Sequence, residues 1–134
     1  MNSLMNTVTI TPLYAALLGL VLLALSVRVI VGVRAKGVGI GDGGNDDHLV
    51  LIRSHANFIE YVPMALILIG FVEAGGASDA WIHGLGGALL VGRICHPLGM
   101  SSTPEPKPLR FIGTISTLLV LLISSVLLLL QQTG

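Results

Sequence analysis

Charge is scarce in this chain. Only 10% of its 134 residues are Asp, Glu, Lys or Arg, against 53% hydrophobic, and seven basic side chains balance seven acidic ones. Soluble domains run near a quarter charged. A mean hydropathy of +0.89 therefore leaves too little polar surface to cover a globule in water, and the class is integral membrane. Zero net charge and a pI near 6.9 exclude the basic stripe with which a protein displaces counterions from nucleic acid. The lone cysteine, Cys95, excludes an internal disulfide and a thiolate-cage zinc site. The length sets an upper bound of one domain.

Long apolar runs are what the chain does have. No charge occurs from Met1 to Val27, and a first span is read over about 10–33. A secretory signal is the competing reading, but the segment lacks a positive start and its apolar stretch exceeds the ~7–15 residues of such signals. Further spans are read at about 49–73, 80–98 and 109–130. The fourth is the plainest: Phe111 to Leu130 is 20 uncharged residues, enough at ~1.5 Å per residue to cross a ~30 Å hydrocarbon core. The expectation is a single domain over 1–134, an all-α integral membrane four-helix bundle. Its connections are a glycine-rich acidic loop (Gly37 to Asp47), a short turn (Ala74 to Asp79) and a stiff link (Met100 to Pro108) carrying Pro104, Pro106 and Pro108. The glycine loop lacks the strand and the Gly-Lys-Ser/Thr of a phosphate cradle, and reads as a flexible loop. No internal repeat is evident.

All seven basic residues (Arg28, Arg34, Lys36, Arg53, Arg93, Lys107, Arg110) lie at or near the first and third connections. By the positive-inside rule these face the cytoplasm and both termini face away.

The second span carries an anomaly. Arg53, Asn57 and Glu60 are spaced i, i+4, i+7, within about 40° to 60° of one another on a helix. Glu60 lies about 16 Å along the axis from Leu49, approaching mid-membrane, where each charge costs about 2.5–3.5 kcal/mol on insertion scales. Arg53 and Glu60 are separated by about 10.5 Å of rise, read as too far for comfortable pairing on one helix. A ligand gripped between them is favoured over a structural ion pair. His48 and His55, seven apart, are a poor metal pair and read as interface or packing histidines, with no metal site expected. Pro63 removes a backbone donor and predicts a kink.

On the third span Gly84, Ala88 and Gly92 form a small-residue face for close helix approach. Arg93, His96 and Met100 recur at i, i+3, i+7 and are expected to share a face near the cytoplasmic side, with a snorkelling Arg93 the plain alternative to a functional one. Pro97 is expected to bend or end this helix. Trp81 and Tyr14 read as interfacial anchors.

The run Arg53-Ser54-His55-Ala56-Asn57-Phe58-Ile59-Glu60-Tyr61-Val62-Pro63 resembles the second-helix signature of the MAPEG family, membrane-associated proteins in eicosanoid and glutathione metabolism. Gly92-Arg93-Ile94-Cys95-His96-Pro97-Leu98-Gly99 and Arg110-Phe111-Ile112-Gly113 are similar to bacterial members. The likeness covers nearly the whole chain. It implies a homotrimer with glutathione as co-substrate at subunit interfaces near the cytoplasmic side. On that basis Arg53 takes a carboxylate, Asn57 a peptide or carboxylate oxygen, and Glu60 the γ-glutamyl ammonium. Tyr61 adds a hydroxyl, and Arg34 of a neighbouring subunit takes a second carboxylate. Arg93 and His96 complete the glutathione-binding set, and Arg110 resembles the family arginine that favours the thiolate over a thiol of pKa near ~8.5.

Eicosanoid-forming members carry third-helix tyrosines where this chain has His96 and Met100. The resemblance therefore does not extend to an eicosanoid substrate. The implied activity is a glutathione transferase, with peroxidase activity as an extension, acting on lipophilic electrophiles delivered from the bilayer. The alternatives are a non-catalytic lipid-binding or scaffold protein of the same fold and, behind it, a small proton-coupled exporter. The exporter reading is weakened because the first helix has no acid and Glu60 shares its face with Arg53 and Asn57.

Overall fold

In the computed structural model, residues 7–103 and 107–134 are described. Pro104 and Pro106 of the expected stiff link lie outside them. Four long helices follow one another: α1 (Thr11–Gly32), α2 (Asp46–Ala74), α3 (Asp79–Leu98) and α4 (Pro108–Thr133), with a 3-10 turn at Arg34–Lys36 after α1. The fold is all-α.

The helix ends follow from local chemistry. Pro12 sits in the first turn of α1 and Pro108 in that of α4, where a missing N–H is harmless. The Asn45 side chain accepts from the amides of Asp47 (2.9 Å) and His48 (3.1 Å) to cap α2, while Asp46 and Asp47 in its first turn suit the positive end of the helix dipole. Gly99 closes α3 through its N–H to the Cys95 carbonyl at 3.0 Å. α2 continues through Pro63, and α3 contains Pro97 in its last turn.

Polar contacts fix which ends lie together. Glu73, in the last turn of α2 and 6% exposed, accepts from the amides of Thr9 (2.8 Å), Ile10 (2.6 Å) and Thr11 (2.8 Å). It caps α1 from a different helix, since Ile10 offers no side-chain cap, and satisfies donors that lipid cannot. Gln131 of α4 donates to the Val72 carbonyl at 3.0 Å, and the Tyr14 hydroxyl of α1 meets His83 Nδ1 of α3 at 2.8 Å. The start of α1, the end of α2, the start of α3 and the end of α4 thus share one end. At the other end Ser102 donates to Asp47 at 2.6 Å, and the α4 backbone at Arg110 presses on Gly99.

Leu18, Leu25, Phe58, Val62, Ile69, Ile82, Leu85, Leu89 and Val120 form the buried core. Leu20, Ile30, Phe71, Leu122 and Leu129 remain more than half exposed, an outward apolar coat suited to lipid. Three helices are long and apolar enough to cross a bilayer among the described residues: α1 with its 3-10 turn, α2 and α4. The 20-residue α3 matches a span in length but is diluted by glycine, histidine and Arg93, which its neighbours enclose. Packing, with interhelical hydrogen bonds, holds such a bundle together, because lipid is as apolar as the core.

Candidate functional site

Four residues of α2 fan across its surface. From Glu60 through Arg53 and Asn57 to Tyr61 the helical positions advance over about 100°, from the outside of the bundle to its interior. Glu60 and Arg53 occupy the outer edge, with side chains 49% and 51% exposed, and the Arg53 Nη2 donates to the Glu60 Oε1 at 3.4 Å. The expectation that they stand too far apart is corrected: two long side chains bending toward each other span seven residues of rise. Both remain half open on the protomer surface.

Asn57 and Tyr61 turn inward. The Asn57 Oδ1 accepts from Arg93 Nη2 at 2.8 Å, and Arg93 Nη1 donates to the Thr117 hydroxyl at 3.4 Å. Asn57, Tyr61, Arg93, Thr114, Thr117 and Leu118 surround a small void. Arg93 is 1% exposed, and its guanidinium carbon lies 5.8 Å from the centroid of the Phe58 ring, within cation–π range. The snorkelling reading of Arg93 is thereby overturned. A guanidinium locked by α2, α4 and an aromatic face cannot reach the interface, and it orients the Asn57 amide instead.

A second opening lies one turn nearer the helix end. Asp46, Leu49, Val50, Arg53, Met100, Ser101 and Ser102 line a cavity of about 230 Å³ between the start of α2 and the chain leaving α3. Arg53 borders this cavity as well as the outer stripe. The expected shared face of Arg93, His96 and Met100 is not formed, because α3 stops at Leu98 and Met100 turns off toward α2.

The remaining expected residues are distributed. His96 is 3% exposed and its backbone and Cβ abut Gly113. Arg34 donates to the carbonyls of Val38 (3.0 Å) and Gly41 (3.1 Å), organising its own loop. Arg110 is exposed at the start of α4. Arg34 and Arg110 therefore share the end of the bundle with Arg53 without being joined to it in the protomer. His48 Nδ1 lies 3.0 Å from the Asp42 carbonyl and His55 Nε2 3.0 Å from the Ser26 hydroxyl, so the two histidines serve a loop and a helix contact respectively. Among the described residues no group of three His, Cys, Asp or Glu side chains gathers. Thr114, Thr117, Ser101 and Ser102 went unnoticed in the sequence. Thr117 had one available signal, since it follows Gly113 by a single helical turn on the face nearest α3.

A family model described as the MAPEG family matches residues 11–130. The chain belongs to the MAPEG family. Inner membrane protein YecN of Escherichia coli strain K12 is 38% identical over 90 residues, 67% of this chain and 69% of the relative, and its counterpart in strain CFT073 of serotype O6:H1 matches equally. No solved structure matches the chain. The MAPEG family includes glutathione transferases and related proteins, and this MAPEG protein, like its inner-membrane relative, is an integral membrane protein.

Proposed function

We propose that this MAPEG protein is a homotrimeric glutathione transferase that conjugates glutathione to lipophilic electrophiles entering from the bilayer. The observation that carries this reading is the outward Arg53–Glu60 pair at 3.4 Å, both side chains half exposed on a helix long and apolar enough to cross a bilayer. Lipid would leave those charges poorly solvated, so the pair calls for polar cover. Glutathione supplies it: a carboxylate for Arg53, an ammonium for Glu60 and amide groups for Asn57 and Tyr61, each a charge-assisted or amide hydrogen bond. The cavity beside Arg53, at about 230 Å³, gives room at the same end of the bundle.

Arg34 and Arg110 lie at that end with their guanidinium groups outside the Arg53 cluster, which suits contributions across a subunit boundary. There Arg34 takes a second carboxylate and Arg110 stabilises the thiolate. That thiolate forms a bond to the electrophilic carbon as the leaving group departs with its electron pair. Arg93, held inside, positions Asn57, and His96 backs the α3–α4 contact behind it.

Calorimetric titration of the detergent-purified protein with glutathione, followed by conjugation to an aryl halide, tests this. Arg53→Ala and Glu60→Gln are each expected to weaken binding at least tenfold, as loss of a charge-assisted bond of about 1.5–3 kcal/mol implies. Arg110→Ala is expected to lower turnover more than binding. Binding without turnover in the wild type would make the protein a non-catalytic member of the fold, and no binding at all would defeat both readings.

A further inference from the structure

A groove between α1 and α3, sharing no residue with the Arg53 site, combines an apolar floor with one cation. Val21, Ala24 and Leu25 of α1 and Ile94, Pro97 and Leu98 of α3 line a cavity of about 220 Å³, with Arg28 at its edge. Leu25 is 4% exposed and forms the floor, while Ile94 and Leu98 are 43% and 67% exposed along the rim. Arg28 is the single charged residue of α1, one turn inside the helix end at Gly32, at the end of the bundle that carries the basic residues. Among the described residues it has no hydrogen-bond or ion-pair partner, unlike Arg34, Arg53 and Arg93.

We propose that this groove holds an anionic phospholipid of the adjoining leaflet, its phosphate on the Arg28 guanidinium and one acyl chain running along Leu25 and Ile94 toward Val21. The charge order fits a lipid: the cation stands at headgroup level, reached by a side chain that snorkels outward, and the apolar channel leads from it toward the midplane. A second copy of the chain fits less well. Glu60 lies against Arg53 and Glu73 caps the start of α1, so a second copy would have to reach Arg28 with an acid at its own α1–α2 loop, such as Asp42 or Asp46, and would leave the apolar channel running toward the midplane unexplained. Acyl burial gives little preference for protein over bulk lipid, since both are hydrocarbon. Selectivity therefore rests on the lipid's net negative charge beside Arg28, which the choline cation of a zwitterionic lipid offsets, about fivefold for one arginine near the surface. The proposal is independent of glutathione binding.

The full chain in nanodiscs of mixed phosphatidylcholine and phosphatidylglycerol, released into native mass spectrometry, tests it. Phosphatidylglycerol is expected to be retained about fivefold over phosphatidylcholine. Arg28→Ala should bring the ratio to about one, whereas Lys36→Ala, which removes a charge from the same end, should leave it unchanged. Ala24→Trp fills the channel while keeping Arg28 and should lower retention of both lipids. A phosphatidylglycerol with a photoreactive acyl chain should label the segments around residues 21–28 and 91–98, which keeps the site testable if Arg28→Ala fails to insert. Enrichment that survives Arg28→Ala, equal loss in Lys36→Ala, a preference for oleate over phosphatidylglycerol, or labelling confined to other segments would each overturn the proposal.

Discussion

Asn57 and Arg93 show how one buried side chain sets the meaning of another. Arg93 is 1% exposed, with no carboxylate among its hydrogen-bond partners in the described residues, and its shortest hydrogen bond is the 2.8 Å contact with the Asn57 oxygen. A buried guanidinium that loses such a partner is left partly unsatisfied, a loss of about 1.5–3 kcal/mol for bonds to charged groups. In membrane proteins the unfolded chain finds substitute partners, which trims such effects. Asn57→Ala is therefore expected to destabilise the detergent-solubilised protein by about 1–2 kcal/mol in an SDS unfolding titration, and to weaken glutathione binding as well. Arg93→Met removes charge and need together and should unfold within about 1 kcal/mol of wild type, while still weakening glutathione binding because Asn57 is no longer oriented. Equal destabilisation by the two substitutions would contradict this division of labour. By contrast Arg53 and Glu60 are half exposed, and in the detergent-solubilised protein, where water reaches the open site, such a pair is worth at most about 1 kcal/mol, so their replacement should be felt in binding and scarcely in stability.

Helix packing was legible in the sequence only in part, and the glycines show why. Gly84, Ala88 and Gly92 read as one close-packing face, yet a Cβ at Gly84 would meet nothing within 4 Å, whereas one at Gly92 would lie 3.0 Å from the Ser116 Cβ and 3.2 Å from the Gly113 carbonyl oxygen. The stripe diverges from α4 along its length. It touches at Gly92 and at Ala88, whose carbonyl accepts from the Ser116 hydroxyl at 2.7 Å, and opens toward Gly84 into a cavity of about 230 Å³ bordered by Trp81 and Leu119. Periodicity identifies a small-residue face, but the crossing angle with the neighbour decides where that face touches. Gly113 could not be found this way, because only the contact with α3 reveals that a Cβ there would collide with the Gly92 carbonyl and the His96 backbone. Gly113→Ala is accordingly expected to cost about 1–3 kcal/mol through overpacking against backbone. Gly84→Ala should be neutral or stabilising by up to about 1 kcal/mol from its higher helix propensity. Unfolding midpoints of the two variants in the same detergent provide the comparison, and an equal loss in both would remove the α3–α4 contact from the account.

At the scale of the molecule, the helices and their order were readable because a long uncharged run leaves few alternatives to a spanning helix. The cross-helix cap of Glu73 on α1 was not, since a glutamate beside a turn looks like any solvated charge until the α1 amides are seen 2.6–2.8 Å from it. That cap joins the start of α1 to the end of α2, and the Gln131–Val72 bond brings the end of α4 alongside. The outer ends of α1 and α4 therefore lie together with the α2–α3 turn, opposite the end where Arg34, Arg53 and Arg110 gather. The excess of Lys and Arg at that opposite end predicts that it faces the cytoplasm, the compartment in which glutathione is held reduced and from which the Arg53 cavity would load. Replacing Cys95 with serine and placing single cysteines at Ala77, in the α2–α3 turn, and at Gly39, in the glycine loop, separates the two orientations. In intact cells a membrane-impermeant maleimide is expected to label Ala77→Cys and to leave Gly39→Cys unlabelled until the membrane is opened. The reverse pattern would turn the glutathione site away from the cytoplasm, and with it the supply on which the proposed transferase activity depends.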